Sequence, residues 1–106
     1  MAQREIINKI KLYLKKLTDA GIIIDKAYLY GSYARGSQIT KDSDIDVMIV
    51  SKSFETNIDK AAAIVWRLTG EVDIRIEPYI VAKSKFETDD VSPLLQIVKK
   101  EGIEIK

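Results

Sequence analysis

The stretch "GSYARGSQITKDSDIDVMIV", residues 31 to 50, decides how this chain is read. It opens on a glycine–serine turn, carries Arg35 and three aspartates, and runs into the strand-like segment 44–50. Side chains two apart on a strand share a face, so Asp44 and Asp46 project together, roughly 7 Å apart along the chain. Ile45, Val47 and Ile49 point the other way, into a core. Two carboxylates so placed repel each other, and a divalent cation is the natural offset. Oxygen ligands at this spacing can close on one or two hard cations, and paired metals in phosphoryl chemistry sit ~3.5–4 Å apart.

The glycines upstream meet a different need. In "GSYARG" (31–36) a glycine directly after a strand lets the backbone approach a ligand closely. An exposed N–H group with the Ser32 hydroxyl can hold a phosphate. Arg35 can add a bidentate charge contact to the same phosphate, and the Ser43 hydroxyl can support Asp44. Gly31, Ser32, Arg35 and Ser43 are therefore the candidate phosphate-binding residues. A third carboxylate is needed to fill a metal site. Asp73 is the first candidate and Glu77 the second, both on the polar face of the next predicted strand.

Composition narrows the chemistry. The chain has 106 residues, 46% hydrophobic and 31% charged, with a formal net charge of +1. That is an ordinary globular composition, read as one domain over 1–106. No global field draws in nucleic acid, and no basic tract is present to hold a template. There is no cysteine and no histidine, so thiolate and imidazole sites are excluded. A metal must be held by oxygen, which favours Mg²⁺, Mn²⁺ or Ca²⁺ over zinc. Absence of cysteine fits a reducing cytoplasm, and no apolar run approaches the ~18 residues of a membrane span. The expected location is cytoplasmic, with no membrane contact.

Around the central stretch, Ile6, Ile10, Leu14 and Leu17 repeat at helical spacing and predict a helix over 3–20. Strands are predicted over 26–31 and 44–50, and a helix over 57–70 whose stripe is Ile58, Ala61, Val65 and Leu68. Residues 71–82 alternate Val72, Ile74, Ile76 with Asp73, Arg75, Glu77, the pattern of a strand with one wet face. A helix over 92–102 and a short strand in "IEIK" follow. The fold class is α+β: a small mixed β-sheet with helices packed mainly on one face. Trp66 reads as core or interface, and Tyr28 and Tyr30 as packing. Tyr33, inside the turn, is divided between packing and a nucleotide contact.

"GS" followed by "DSDID", with an Asp on the later strand "VDIRIEP", resembles the nucleotidyltransferase superfamily of DNA polymerase β. The chain is little more than this core, so it is similar to the minimal nucleotidyltransferases often partnered with HEPN-domain proteins. The resemblance covers residues ~25 to 82. It implies that Gly31 and Ser32 hold the triphosphate, that Asp44 and Asp46 bind two Mg²⁺ ions, and that Asp73 activates the attacking hydroxyl. It further implies transfer of AMP from ATP to a tyrosine of a HEPN-type RNase toxin, the pair acting as toxin and antitoxin. A competing reading is a catalytically lapsed module that neutralises its partner by masking its active site. Transfer to a small molecule ranks lower, because acceptor pockets of that kind usually need an extra domain. Self-association, a homo-oligomer, is left open.

Overall fold

Alternation along the strands sends apolar side chains to both faces of one sheet, and helices close over each. In the computed structural model, which describes residues 3–36, 39–40 and 42–106, helix α1 spans Gln3–Asp19 and strand β1 Lys26–Tyr30. The short helix α2 (Ser32–Arg35) leads into strand β2 (Ile45–Ser51), then a 3₁₀ turn at Lys52–Phe54. Helix α3 (Ile58–Thr69) and strand β3 (Ile76–Ala82) follow, then α4 (Lys83–Thr88), α5 (Pro93–Glu101) and β4 (Ile103–Glu104). The sheet order is β3-β2-β1-β4. β2 and β3 run parallel, and the other two pairings are antiparallel. The mixed α+β class and the small mixed sheet match expectation.

The main core lies between the sheet and helices α1 and α3. Ile6, Ile10, Tyr13 and Leu17 of α1 and Val65 of α3 pack there against Leu29, Ile45, Val47, Ile49 and Ile76. The stripe of α1 takes in Tyr13 rather than Leu14, which is only partly buried. Tyr13 is long enough to cross to α3, where its hydroxyl donates to the Val65 carbonyl at 2.6 Å. Burial pushes the Tyr13 phenol pKa upward, so the hydroxyl stays a donor.

The opposite face is also covered, by helices the sequence reading partly missed. Phe86 of α4 and Leu95 and Val98 of α5 pack on Tyr28, Met48, Val50 and Val81. Hence β2 is buried on both faces, as its near-continuous apolar run requires. Among the described residues, no helix is long and apolar enough to cross a membrane.

Strand β3 starts at Ile76, five residues later than its alternation predicts. The Asp73 carboxylate accepts from the Arg75 backbone N–H at 2.9 Å, and Ile76 N–H donates to the Asp73 carbonyl at 3.1 Å. This Asx-type turn competes with the ladder and holds the chain off the sheet. Ile74, expected to be buried, is consequently 83% exposed.

Candidate active site

Register builds the site. Tyr30 of β1 pairs with Asp46 of β2, and Asp46 pairs with Glu77 of β3. Residues paired in register share a face, so these three form a row across the open end of the sheet. The row continues the Tyr28, Met48 and Val81 face, beyond the cover of α4 and α5. Asp46 is half-buried, while Asp44 and Glu77 are exposed.

The electrostatics of the row are unbalanced. Burial, then the charges of Asp44 and Glu77, push the Asp46 pKa up to about 6, against an opposing pull from Arg35. Tyr30 is pushed up to about 12, first by burial and then by Asp46, Tyr79 and Glu77. At Asp46, burial and the two neighbouring negative charges thus outweigh the pull of Arg35.

The turn after β1 rests directly on this charge. Gly31 has φ 76° and ψ −149°, a conformation almost confined to glycine. A Cβ at this position would overlap the Asp46 Oδ2. The Gly31 carbonyl accepts from the N–H groups of Ala34 and Arg35, both at 3.1 Å, which winds α2 immediately after it. Ser32 opens α2, and Arg35 at its other end is exposed and acts on Asp46 through its charge. Ser43 lies in the turn just before Asp44. Its Oγ accepts from Thr40 N–H at 2.8 Å, and its own N–H donates to the Thr40 carbonyl at 3.1 Å. Ser43 thus fastens the turn that delivers Asp44.

Asp73 is not brought to this group. Its carboxylate is turned towards α1, where Lys9 Nζ lies 2.7 Å from Oδ2. Arg75 Nη2 lies 2.7 Å from the same oxygen, and Arg75 Nε donates to Oδ1 at 3.0 Å. The side chain of Asp73 is only 9% exposed. Hydrogen bonds from Arg75, with those from Lys9, hold its carboxyl far below the usual carboxylate range. The expectation that it stands with Asp44 and Asp46 is therefore corrected: the turn at 73–76 removes it from the polar face of β3. Glu77, inside the strand, occupies that face beside Asp46.

Sequence reasoning also missed what Arg75 joins. Its Nη1 donates to the Tyr33 hydroxyl at 3.2 Å, and Gln3 Nε2 donates to the Tyr33 carbonyl at 2.9 Å. Tyr33 is 1% exposed and belongs to the core, so α2 is pinned to α1 and to the start of β3. The only advance signal was Arg75 two residues after Asp73. Trp66, expected in the core or at an interface, is 51% exposed on α3. A cleft of about 450 Å³ lies at the far end of β1, lined by Lys11, Leu14, Lys26 and Glu104 among others, and contains none of these site residues.

The donor set fits a hard cation. Asp44, Asp46 and Glu77 offer carboxylate oxygens alone, and the raised pKa of Asp46 marks negative charge that a cation would offset. Among the described residues, no three acidic side chains are gathered tightly enough to cage an ion by themselves. Magnesium is commonly held by one or two carboxylates, with substrate phosphates completing the shell.

Comparison with known families agrees with this geometry: the nucleotidyltransferase domain matches residues 7–103. The chain belongs to the nucleotidyltransferase family. A Methanocaldococcus jannaschii relative provisionally named a protein adenylyltransferase is 37% identical over 83 residues, 76% of this chain and 83% of that protein. Among solved structures, one described provisionally as a nucleotidyltransferase from Sulfolobus solfataricus has a TM-score of 0.67 at 18% identity, covering 96% of this chain and 80% of the other. A toxin–antitoxin structure with AMP-PNP has a TM-score of 0.63 at 26% identity, covering 94% and 72%. A mutant toxin–antitoxin MntA–HpeT structure has a TM-score of 0.53 at 21% identity, covering 100% and 73%. This chain is thus a nucleotidyltransferase, with the fold of that group.

Proposed function

We propose that this nucleotidyltransferase transfers AMP from ATP to a tyrosine hydroxyl of a HEPN-type RNase toxin, and that it is the cytoplasmic antitoxin of the pair. The observation that carries the reading is the Asp46–Glu77 register pair, with Asp44 two residues away and Gly31 seated on the Asp46 carboxylate. The relative named for protein adenylyltransfer supports a protein acceptor. The toxin–antitoxin structures support a toxin as that protein.

The geometry supports the following residue roles. Gly31 and Ser32, at the start of α2, hold the triphosphate, and Arg35 adds positive charge beside it. Asp44, Asp46 and Glu77 hold the divalent cations, Mg²⁺ with Mn²⁺ as a substitute. When bound, these ions draw charge from the phosphate oxygens and from both the attacking and the leaving oxygen. Asp73, committed to Lys9 and Arg75, does not serve as the third carboxylate; Glu77 does. The acceptor oxygen forms a bond to the α-phosphorus, the bond to pyrophosphate breaks, and Glu77 takes the hydroxyl proton. Ser43 acts indirectly, through the turn that places Asp44.

The test is incubation with labelled ATP, Mg²⁺ and the product of the adjacent reading frame. Label should move to that neighbour; Asp44→Asn should abolish the transfer and Glu77→Gln should lower it by about 100-fold or more. A neighbour that stays unlabelled, or a label indifferent to Asp44→Asn, sinks the proposal. In cells, the Asp44→Asn,Asp46→Asn double variant should fail to neutralise the toxin. Full protection by that variant would replace transfer with masking.

A further inference from the structure

Helix α2 is a single turn of four residues, Ser32–Arg35. A helix this short has no stability of its own, so its position is set by what holds it from outside. Both of its ends bear on the proposed site. Ser32 stands beside Gly31 at the start, and Arg35 at the finish acts on Asp46 through its charge. Between them Tyr33 is 1% exposed, so it meets no nucleotide itself.

Tyr33 is where α2 is anchored. Its ring sits in the main core, its hydroxyl accepts from Arg75 Nη1 at 3.2 Å, and its carbonyl accepts from Gln3 Nε2 at 2.9 Å. Arg75 is clamped along another edge. Its Nε donates to Asp73 Oδ1 at 3.0 Å and its Nη2 to Oδ2 at 2.7 Å, while Lys9 Nζ lies 2.7 Å from the same Oδ2. A planar guanidinium gripped along one edge has its other nitrogen aimed in a fixed direction, here at Tyr33. The contacts run Lys9, Asp73, Arg75, Tyr33 and end one residue from Ser32.

We infer that Arg75 is a positioning residue for nucleotide binding, acting through the Tyr33 hydroxyl to hold the Gly31–Ser32 turn where it meets the triphosphate. The inference deepens the transferase reading and rests on it for the identity of that ligand. Stability alone is a poor account of the arrangement. The side chains of Arg75 and Asp73 are 19% and 9% exposed, and apolar side chains often match or better an ion pair so far out of water. A guanidinium does what apolar packing does not: it fixes an angle between three elements. Adjacent Cα atoms lie ~3.8 Å apart, so a shift at Tyr33 passes directly to Ser32.

The test measures kcat, the KM for ATP, ATP·Mg²⁺ affinity by calorimetry and melting temperature on the full chain. Tyr33→Phe keeps the ring in the core and removes only the hydroxyl. It should weaken ATP binding and raise the KM about tenfold, the scale of one hydrogen bond. Its kcat should stay within about twofold, because a grip on the triphosphate is common to substrate and transition state. Arg75→Lys keeps a charge beside Asp73 and cannot span Asp73 and Tyr33 together, so it should raise the KM equally. The double variant should be no worse than either, since both break one link. Asp73→Asn keeps an acceptor for Arg75 Nε and should move the KM less. Tyr13→Phe removes another buried hydroxyl bond and should leave the KM unchanged. Tyr33→Phe decides alone if Arg75→Lys does not fold. ATP affinity unchanged in Tyr33→Phe, a KM restored by Arg75→Lys, additive losses in the double variant, or an equal rise in Tyr13→Phe overturns the inference. Label transfer by a Tyr33→Phe protein that binds ATP normally leaves the transferase reading standing without it. ATP binding that depends on Tyr33 in a protein that moves no label does the reverse.

Discussion

Asp46 of β2 and Glu77 of β3 are register partners in a parallel ladder, two carboxylates set side by side at the open end of the sheet. Like charges directly opposite one another destabilise a sheet. This pair is kept beside a glycine turn that would tolerate no side chain against Asp46. The fold thus carries local repulsion at the place where the proposed chemistry uses negative charge.

Removing that charge should stabilise the metal-free protein. The folded pKa of Asp46, about 6, lies above its ordinary value of 3.8. Between those values the native state holds a proton that the unfolded chain has released, so stability falls as pH rises through about 6. Asp46→Asn should raise metal-free stability at pH 8 by about 1 kcal/mol, after allowance for solvent screening. At pH 4 it should change little. Mg²⁺ should raise the melting temperature of the parent protein above pH 6 and not that of the variant. Thermal melts across pH, with and without Mg²⁺, check both statements.

Glu77 and Asp73 should separate cleanly on substitution. Glu77→Gln should lower label transfer by about 100-fold or more, the scale of a lost general base, while the melting temperature holds or rises. Asp73→Asn should cost about 2 kcal/mol of stability through lost charged hydrogen bonds, with transfer largely retained where the protein is folded. Denaturant melts paired with transfer assays distinguish the two outcomes.

The same ion pair should shape the acid limb. The Asp73 carboxyl is held far below its ordinary value by Arg75 and Lys9. Its stabilisation is therefore complete above the unfolded pKa of ~3.9 and is lost as pH falls further. Asp73→Asn should flatten the loss of stability between about pH 4 and pH 2. Acid titration followed by circular dichroism reads this directly.

Gly31→Ala should damage site and fold together. The backbone conformation at φ 76° and ψ −149° costs about 1–3 kcal/mol with a side chain. The new Cβ would also displace the Asp46 carboxylate. Activity should drop about 100-fold, the scale set by a displacement of roughly 1 Å. Transfer assays at temperatures well below the variant's melt check the drop.

Tyr13→Phe should cost about 1 kcal/mol, the value of one buried hydrogen bond between α1 and α3. Transfer should be unaffected. Urea denaturation reads the difference.

Much of this arrangement was legible in the residues. Helix α1, strands β1 and β2, helix α3 and helix α5 follow from apolar period and from glycine or proline punctuation, which are local properties. The nearness of Asp44 to Asp46 was legible from their spacing, although Asp44 stands just before β2 and not inside it. The turn at Gly31 was legible because only a few residue types take such a backbone.

The third carboxylate was not. Alternation made Asp73, Arg75 and Glu77 look like one wet face, and only two distant partners break that equivalence. Lys9 comes from α1 and Tyr33 from α2, separated from Asp73 and Arg75 by 64 and 42 positions. Together with the Asx turn they draw Asp73 out of the strand, leaving Glu77 in register with Asp46. The sequence by itself determined the longer helices, the two central strands and the acidic pair at 44 and 46, because short-range sterics and periodicity suffice for those. Which acid completes the row depended on long-range contacts and ladder register, which exist only once the chain has folded.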